Sequence, residues 1–416
     1  MKSVRLEEIV DIGSSKRIKM SEYVASGIPF YRSKEIINLH KNQNIQTELF
    51  ISEERFDEIN LKFGSPTEGD ILLTSVGTLG IPYQVKKGDK FYFKDGNLTW
   101  FRNFSDKVNK KYLYFWLTSP IAKRKIDEIT IGSTQKALTI VSLNNIEIDL
   151  PSITEQNKIV EVISAIQEKI ELNQKMNETL EEIAKSLFKS WFVDFDPVKA
   201  KVEGRPTGLS KEISDLFPDS FEDSELGKIP KGWETIKLGD IATVTSGKKP
   251  PEKKERKSST YPYEVFGGAG PIGFCGNSLE FSKPAIITGR VGTLGKVFFL
   301  DRECWVSDNS ILICDAESYT PIIFQTLKHM NLSSLNVGST QPLLTGRDIK
   351  KINIIGPDKR VLDKYVSTFN NLKIRQDKLI DENKTILKLK DTLLPKLISG
   401  ELEILEKDNL IKKASI

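Results

Sequence analysis

The chain has 416 residues, 38% of them hydrophobic and 28% charged, with a formal net charge of +4. That length suits two domains with connectors. No run of about 18 apolar residues offers a membrane span, and the opening MKSVRLEEIV lacks the apolar stretch of an export signal, so a cytoplasmic protein is expected. Cys275, Cys304 and Cys314 are odd in number and show no CxxC spacing, which argues against a disulfide framework or a structural zinc site.

In chain order, residues 1–151 read as a mixed globular module. DILLTSVG (Asp70–Gly77) and FYFKDGNLTWF (Phe91–Phe101) are strand-like, and KKYLYFWLTSPIAKRKI (Lys110–Ile126) has aromatic residues at helical spacing. Residues 152–199 predict one long helix, opened by Ser152 and Glu155 in capping-box spacing and expected to stop near Phe195–Pro197. Along it Ile163, Ile166, Ile170, Asn173, Asn177, Leu180, Ala184, Leu187 and Trp191 recur at steps of three and four, the pattern of a coiled-coil seam with polar positions in its middle.

Residues 200–232, dense in Pro, Gly, Asp and Ser and without periodicity, read as a linker. Residues 233–356 form a second module, within which KKPPEKKERKSSTYP (Lys248–Pro262) reads as a basic loop. Residues 357–405 predict a second long helix with the seam Phe369, Leu372, Gln376, Leu379, Asn383, Ile386, Lys390, Leu393, Leu397, and Pro395 is expected to kink or end its last turns. The charged tail 406–416 is expected to fray.

The two halves repeat each other. GTLG occurs at Gly77–Gly80 and Gly292–Gly295, and GSTQ occurs at Gly132–Gln135 and Gly338–Gln341. VRLEEIVDIGSSK (Val4–Lys16) echoes IKLGDIATVTSGK (Ile236–Lys248), and each GSTQ leads to a proline, Pro151 or Pro357, ahead of a long helix. A shared frame with unlike interiors implies two modules doing one job on two different targets. A lone helix of about 38 residues, roughly 57 Å long, exposes its seam. The two helices must therefore pair with each other or with a partner, and intramolecular pairing that puts the modules at opposite ends calls for antiparallel helices, a rod on which Asn177 and Asn383 would either set the register or sit in water at the seam edge.

With these features in this order, the chain resembles the specificity subunit of type I restriction–modification systems. GDILLTSVGTLG, SLFKSWFVDFDPV, GKIPKGWE and LLPKLISGEL add to the likeness, which runs from Val4 to about Ile404. The resemblance implies an α+β chain with a pseudo-twofold internal repeat: two mixed α/β target recognition domains (1–151 and 233–356) separated by two long antiparallel helices forming a coiled-coil spacer. It implies a DNA-binding subunit that reads a bipartite, asymmetric site in double-stranded DNA. Two methyltransferase subunits would dock on the helices, and restriction (motor-nuclease) subunits would join that core. The chain itself would carry no catalytic residue, metal or cofactor; S-adenosylmethionine, ATP and magnesium would sit on the partners.

Two other classes compete: a DNA-reading enzyme with its own methyltransferase or nuclease activity, and a helical scaffold that binds no DNA. Against the enzyme, His40 and His329 lack partners of catalytic spacing, and FGGAG (Phe266–Gly270) has no amine-methylation tetrapeptide elsewhere in the chain. Pro218–Asp219 and Glu252–Lys254 lie in linker and loop, and no GxxxxGK[ST] run is present. For DNA contact, the shared polar turns Ser133, Thr134, Gln135, Lys136 and Ser339, Thr340, Gln341 suit backbone positioning. Thr74 and Ser75, against Thr288 and Arg290, are candidates for discrimination, with Arg290 suited to a bidentate bond to guanine. Lys16 and Arg17, and Lys248 and Lys249, are candidate phosphate clamps, reinforced by the Lys253–Lys257 loop. The helix seam candidates are Ile163, Ile166, Ile170, Asn177, Leu180, Leu187, Phe369, Leu372, Leu379, Asn383, Ile386 and Leu393.

Overall fold

A computed structural model describes residues 2–43, 45, 47–130, 137–291, 294–330, 332–335 and 343–404. The chain divides into two units, Met1–Asn173 with Glu382–Ile416, and Gln174–Asp381. Each holds one module together with parts of both long helices.

Each module is closed by pairing its first strand with its last. Lys2–Arg5 runs antiparallel to Glu147–Leu150, with Val4 opposite Ile148. Glu234–Lys237 runs antiparallel to Asn353–Gly356, with Ile236 opposite Ile354. The alternation that buries Val4 and Ile148 while exposing Ser3 and Glu147 is the period-two signature of a strand covered on one face. The Leu6 N–H donates to the Ile146 carbonyl at 3.0 Å, and the Leu238 N–H to the Ile352 carbonyl at 2.8 Å. The repeat seen in the sequence is thus a repeat of backbone hydrogen bonds.

Inside each module lies a four-stranded antiparallel sheet of the same order. In the first unit it is Asp11–Gly13, Leu98–Arg102, Ile71–Thr74, Pro82–Gln84; in the second, Thr243–Ser246, Ser310–Cys314, Ala285–Gly289, Val297–Leu300. Ile71–Thr74 and Ala285–Gly289 are buried along their whole length because both sheet faces are covered. Alternate residues serve different cores. Ile71, Leu73 and Phe101 join the core that includes the long helices, while Leu72, Leu98 and Trp100 join a core on the other face. Ile286, Ile311 and Ile313 divide from Ile287, Leu312 and Cys314 in the same way.

The modules differ outside this sheet. The first adds strands Tyr23–Val24, Phe50–Ile51, Ile28–Tyr31 and Tyr92–Phe93, with helices Ser33–His40 and Glu53–Phe63. The second adds the hairpin Tyr263–Gly267 and Gly270–Cys275, with Cys304–Val306 alongside. In both additions one strand pair is parallel, Phe30 beside Tyr92 and Val265 beside Trp305.

The long helices are Ile153–Phe192 and Lys359–Ser399. Ser152 and Glu155 form the predicted box: the Glu155 N–H donates to Ser152 Oγ at 3.3 Å, and the Ser152 N–H to Glu155 Oε2 at 3.0 Å. In the first unit Ile159 and Ile163 share a core with Leu394, Leu397 and Ile398, and Asn173 meets Asn383. In the second, Gln376 Nε2 donates to the Asn177 carbonyl at 3.2 Å, and Phe192 packs edge-on to Tyr365 with centroids 4.7 Å apart. Numbers that rise along one helix fall along its partner, so within each unit the helices run antiparallel. Ile163, Ile170, Leu180, Phe369, Leu379 and Asn383 are buried, and Ile166, Asn177, Leu187, Leu372, Ile386 and Leu393 half-buried.

Four local expectations are corrected. Lys110–Ile126 is two helices, Lys110–Thr118 and Pro120–Glu128; Ser119 ends one and caps the next, its Oγ accepting the Ala122 N–H at 3.2 Å, with Pro120 at the first helical position. The first long helix stops at Phe192, and after Phe195 in a left-handed conformation (φ 54°) a new helix runs Asp196–Val202. The stretch 200–232 is structured: it holds helix Lys211–Ser214 and the hairpin Phe221–Ser224 with Gly227–Pro230, while Phe217, Ile229 and Trp233 enter the core with Trp191 and Phe192. Pro395 does not end the second helix, which continues to Ser399, because buried Leu394, Leu397 and Ile398 outweigh the lost backbone bond. The tail 406–416 lies outside the described residues.

Candidate nucleic-acid interface

Where the central sheet of the second module ends, three segments converge. Strand Thr243–Ser246 runs into Gly247, whose N–H donates to the Ser310 carbonyl at 3.1 Å, and the Lys248 N–H then donates to the Val306 carbonyl at 2.9 Å. Glycine is required here: a Cβ on Gly247 would lie 2.2 Å from the Ser307 carbonyl oxygen. Just past strand Ala285–Gly289, on the other side of Ser310–Cys314, the Arg290 N–H donates to the Asn309 carbonyl at 2.9 Å, and the Arg290 carbonyl accepts the Leu344 N–H at 2.9 Å. Val291 bridges to Leu343, two residues past the second GSTQ. One tight turn, 306–310, therefore fixes the backbones of Lys248 and Arg290 at the same sheet edge.

The first module builds the same edge. The Ser75 N–H donates to the Asn97 carbonyl at 2.8 Å, the Ser75 carbonyl accepts the Leu138 N–H at 3.0 Å, and Val76 bridges to Ala137. The GTLG turn that follows uses left-handed glycines, Gly77 (φ 80°) and Gly80 (φ 72°). In each module the end of the GTLG strand is thus hydrogen-bonded on one side to an asparagine and on the other to the residues just after GSTQ.

The threonines and the serine at this edge serve the turn and do not face outward, which corrects their assignment as DNA contacts. Thr74 is fully buried, its Oγ1 accepting the Ile81 N–H at 2.9 Å. Ser75 is buried and bonded to Thr99 Oγ1. Thr288 is fully buried and donates to the Lys296 carbonyl at 3.0 Å. The turns Ser133, Thr134, Gln135, Lys136 and Ser339, Thr340, Gln341 lie outside the described residues.

Arg290 is different. It occupies the place of Ser75 yet is partly exposed, and among the described residues its guanidinium makes a single long contact, 3.5 Å, to the Asp308 carbonyl. Lys16, Arg17, Lys248 and Lys249 are exposed. The Lys16 ammonium lies 5.1 Å from the Phe63 ring centre. Among the described residues none of these five cations is paired with a carboxylate, so their charge is available to an anionic partner. The loop beyond them is partly self-neutralised: Lys254 pairs with Glu252, whose hydrogen bond raises the lysine's pKa above its ordinary value.

The remaining candidates have structural settings. His40 donates to the Pro82 carbonyl at 2.8 Å, and burial pushes its pKa down. His329 lies beside the Phe188 ring. Cys275, Cys304 and Cys314 are buried free thiols, and burial pushes Cys304 up to about 12. Phe266–Gly270 forms part of the second module's hairpin. Asn97 and Asn309 escape motif comparison; the one signal for them is an Asn directly before the matching strands Leu98–Arg102 and Ser310–Cys314.

Comparison with known proteins matches residues 1–182 and 230–388 to the family model of the type I restriction modification DNA specificity domain. The type I restriction enzyme MjaIX specificity subunit of Methanocaldococcus jannaschii is 28% identical over 95% of this chain and 91% of its own length. The type I restriction enzyme HindI specificity subunit of Haemophilus influenzae is 29% identical over 65% of this chain and 72% of its own. A solved S subunit of a type I restriction–modification system from M. genitalium shares the fold, with a TM-score of 0.54 at 17% identity over 95% of each chain.

Proposed function

The chain belongs to the type I restriction modification DNA specificity family, and from that premise we propose that it selects a bipartite, asymmetric site in double-stranded DNA, one module reading each half. The observation that carries this reading is the duplicated sheet edge: the same backbone bonds recur at Ser75 and Arg290, while the side chain there is a buried serine in one module and a partly exposed arginine in the other. A constant frame that presents an arginine in one module and not in the other suits two unlike half-sites.

In this proposal Lys16, Arg17, Lys248 and Lys249 hold phosphates, Arg290 bonds a guanine, and the two GSTQ turns add positioning contacts. The paired helices set the gap between half-sites and dock two methyltransferase subunits, with restriction subunits joining them. The chemistry, with S-adenosylmethionine, ATP and magnesium, belongs to those partners, and the complex works in the cytoplasm. The test is a duplex-binding titration of the full chain co-purified with its modification subunits, paired with mapping of methylated bases in the host genome. Two constant half-sites with a fixed gap are expected, and binding that ignores sequence overturns the reading.

A further inference from the structure

Both modules place an asparagine at the same point of the edge, Asn97 against Ser75 and Asn309 against Arg290. The bond that builds the edge uses the asparagine carbonyl, and neither residue has the positive φ that favours Asn over other side chains. Neither that main-chain bond nor the backbone conformation therefore calls for a carboxamide, yet the same carboxamide stands in both copies. The residues ahead of it differ, Asp95-Gly96 in one and Ser307-Asp308 in the other. Asn309 is exposed and Asn97 half-buried. Among the described residues neither carboxamide has a hydrogen-bond partner, and neither is a buried group left unsatisfied.

We propose that Asn97 and Asn309 each read one adenine, in the half-site faced by their own module. A carboxamide offers one acceptor and one donor side by side, which matches the N6 amine and N7 of adenine in the major groove. Position and neighbours suit such a reader. Each asparagine is one backbone hydrogen bond from the residue that varies between modules and stands in the same ladder as the residues following GSTQ. The edge then carries one contact common to both half-sites and, beside it, one that tells them apart. This inference rests on the DNA-specificity reading above.

The test is selection from a pool of randomised duplexes by the full chain co-purified with its modification subunits, comparing wild type with Asn97→Ala, Asn309→Ala and Asn309→Asp. Alanine at either position should cost about 5- to 150-fold in discrimination at a single A·T pair, in one half-site for Asn97 and in the other for Asn309. Asn309→Asp keeps the shape and the main-chain bond but loses the amide donor. It should shift preference at that pair toward cytosine, whose N4 amine a carboxylate accepts, and it keeps the proposal testable if the alanine variant folds poorly. Equal weakening on all duplexes with a shallower salt dependence would assign the carboxamides to phosphates and overturn the proposal, as would unchanged selection. A wild-type complex that selects no sequence would instead overturn the DNA-specificity reading itself.

Discussion

Asn173 donates its side-chain amide to the carboxamide oxygen of Asn383 at 2.9 Å, in the buried seam between the two long helices of the first unit. The same amide reaches Glu382 Oε2 at 2.8 Å, and Asn383 Nδ2 donates onward to the Ile170 carbonyl at 3.2 Å. The sequence repeat singles out Asn177 together with Asn383; the partner of Asn383 is instead one turn away, since antiparallel pairing brings together positions that the repeat does not equate. Asn383→Leu alone strands a buried amide and should cost about 1–3 kcal/mol. Replacing both asparagines by leucine removes the need for either partner and should fall within about 1 kcal/mol of wild type, with a less strictly defined register. Urea unfolding of the two single variants and the double variant checks this: additive losses would show that the pair is not coupled.

In the outer layer of the first module, Glu35 is 1% exposed and accepts hydrogen bonds from the Arg32 backbone N–H at 2.8 Å and from its guanidinium at 2.9 Å. Burial by itself pushes the Glu35 carboxyl up, but the bonds from Arg32 more than offset it, and the net position is below the ordinary carboxylate range. A folded pKa below the unfolded one gives stability that is present above the unfolded value and is lost as pH falls through the folded value. Glu35→Gln should therefore destabilise by about 1–3 kcal/mol at neutral pH, and the gap to wild type should close below about pH 4. Melting temperatures of both proteins at neutral pH and below about pH 4 give the comparison; a gap that persists in acid would point to packing alone.

The parts of the fold that announce themselves in the sequence are those fixed by local periodicity. The seam spacing, the Ser152–Glu155 box and the repeated motifs suffice to place both long helices. What stays hidden depends on distant partners. Phe217, Ile229 and Trp233 stand in a polar stretch without helical or strand periodicity, and packing against residues distant in sequence, Trp191 and Phe192 among them, makes them part of a core. Ser119-Pro120 reads as continuous with a helix because the aromatic spacing before it is helical, although one serine there both ends a helix and starts another. At the candidate interface, threonine beside GTLG reads as a surface donor until the turn that consumes its hydroxyl is seen. Asn97 and Asn309 share no flanking motif, so their equivalence shows only in the hydrogen bonds of their carbonyls.

Arg290 and Ser75 occupy matching places with opposite exposure, so their variants should behave differently. Arg290→Lys should lose discrimination almost as fully as Arg290→Ala, because lysine keeps the charge without the planar fork of donors. The expected cost is about 1–3 kcal/mol at one G·C pair, confined to the half-site of the second module. Ser75→Ala removes a buried bond to Thr99 and should cost about 1 kcal/mol of stability, leaving the selectivity of both half-sites intact. Competition binding with duplexes altered in one half at a time separates the two effects. Equal selectivity losses for Arg290→Ala and Ser75→Ala would count against the assignment of Arg290 to a base.

The helices offer a prediction with a length in it. Ile153–Phe192 is one unbroken helix of 40 residues and Lys359–Ser399 one of 41. Their seam residues repeat at steps of three and four, so a seven-residue insertion in each helix preserves which side chains face the seam. Seven residues add about 10 Å at 1.5 Å per residue, which spans about three base pairs at 3.4 Å each. If helix length sets the gap, a chain lengthened by one heptad in both helices should methylate sites whose spacer is about three base pairs longer and whose two half-sites are unchanged, because the sheet edges proposed to read them are untouched. Lengthening only one helix breaks the pairing and should abolish methylation rather than shift it. Mapping methylated bases in cells that carry each variant reads gap and half-sites together. An unaltered gap in the doubly lengthened chain would mean that something other than the paired helices fixes the distance.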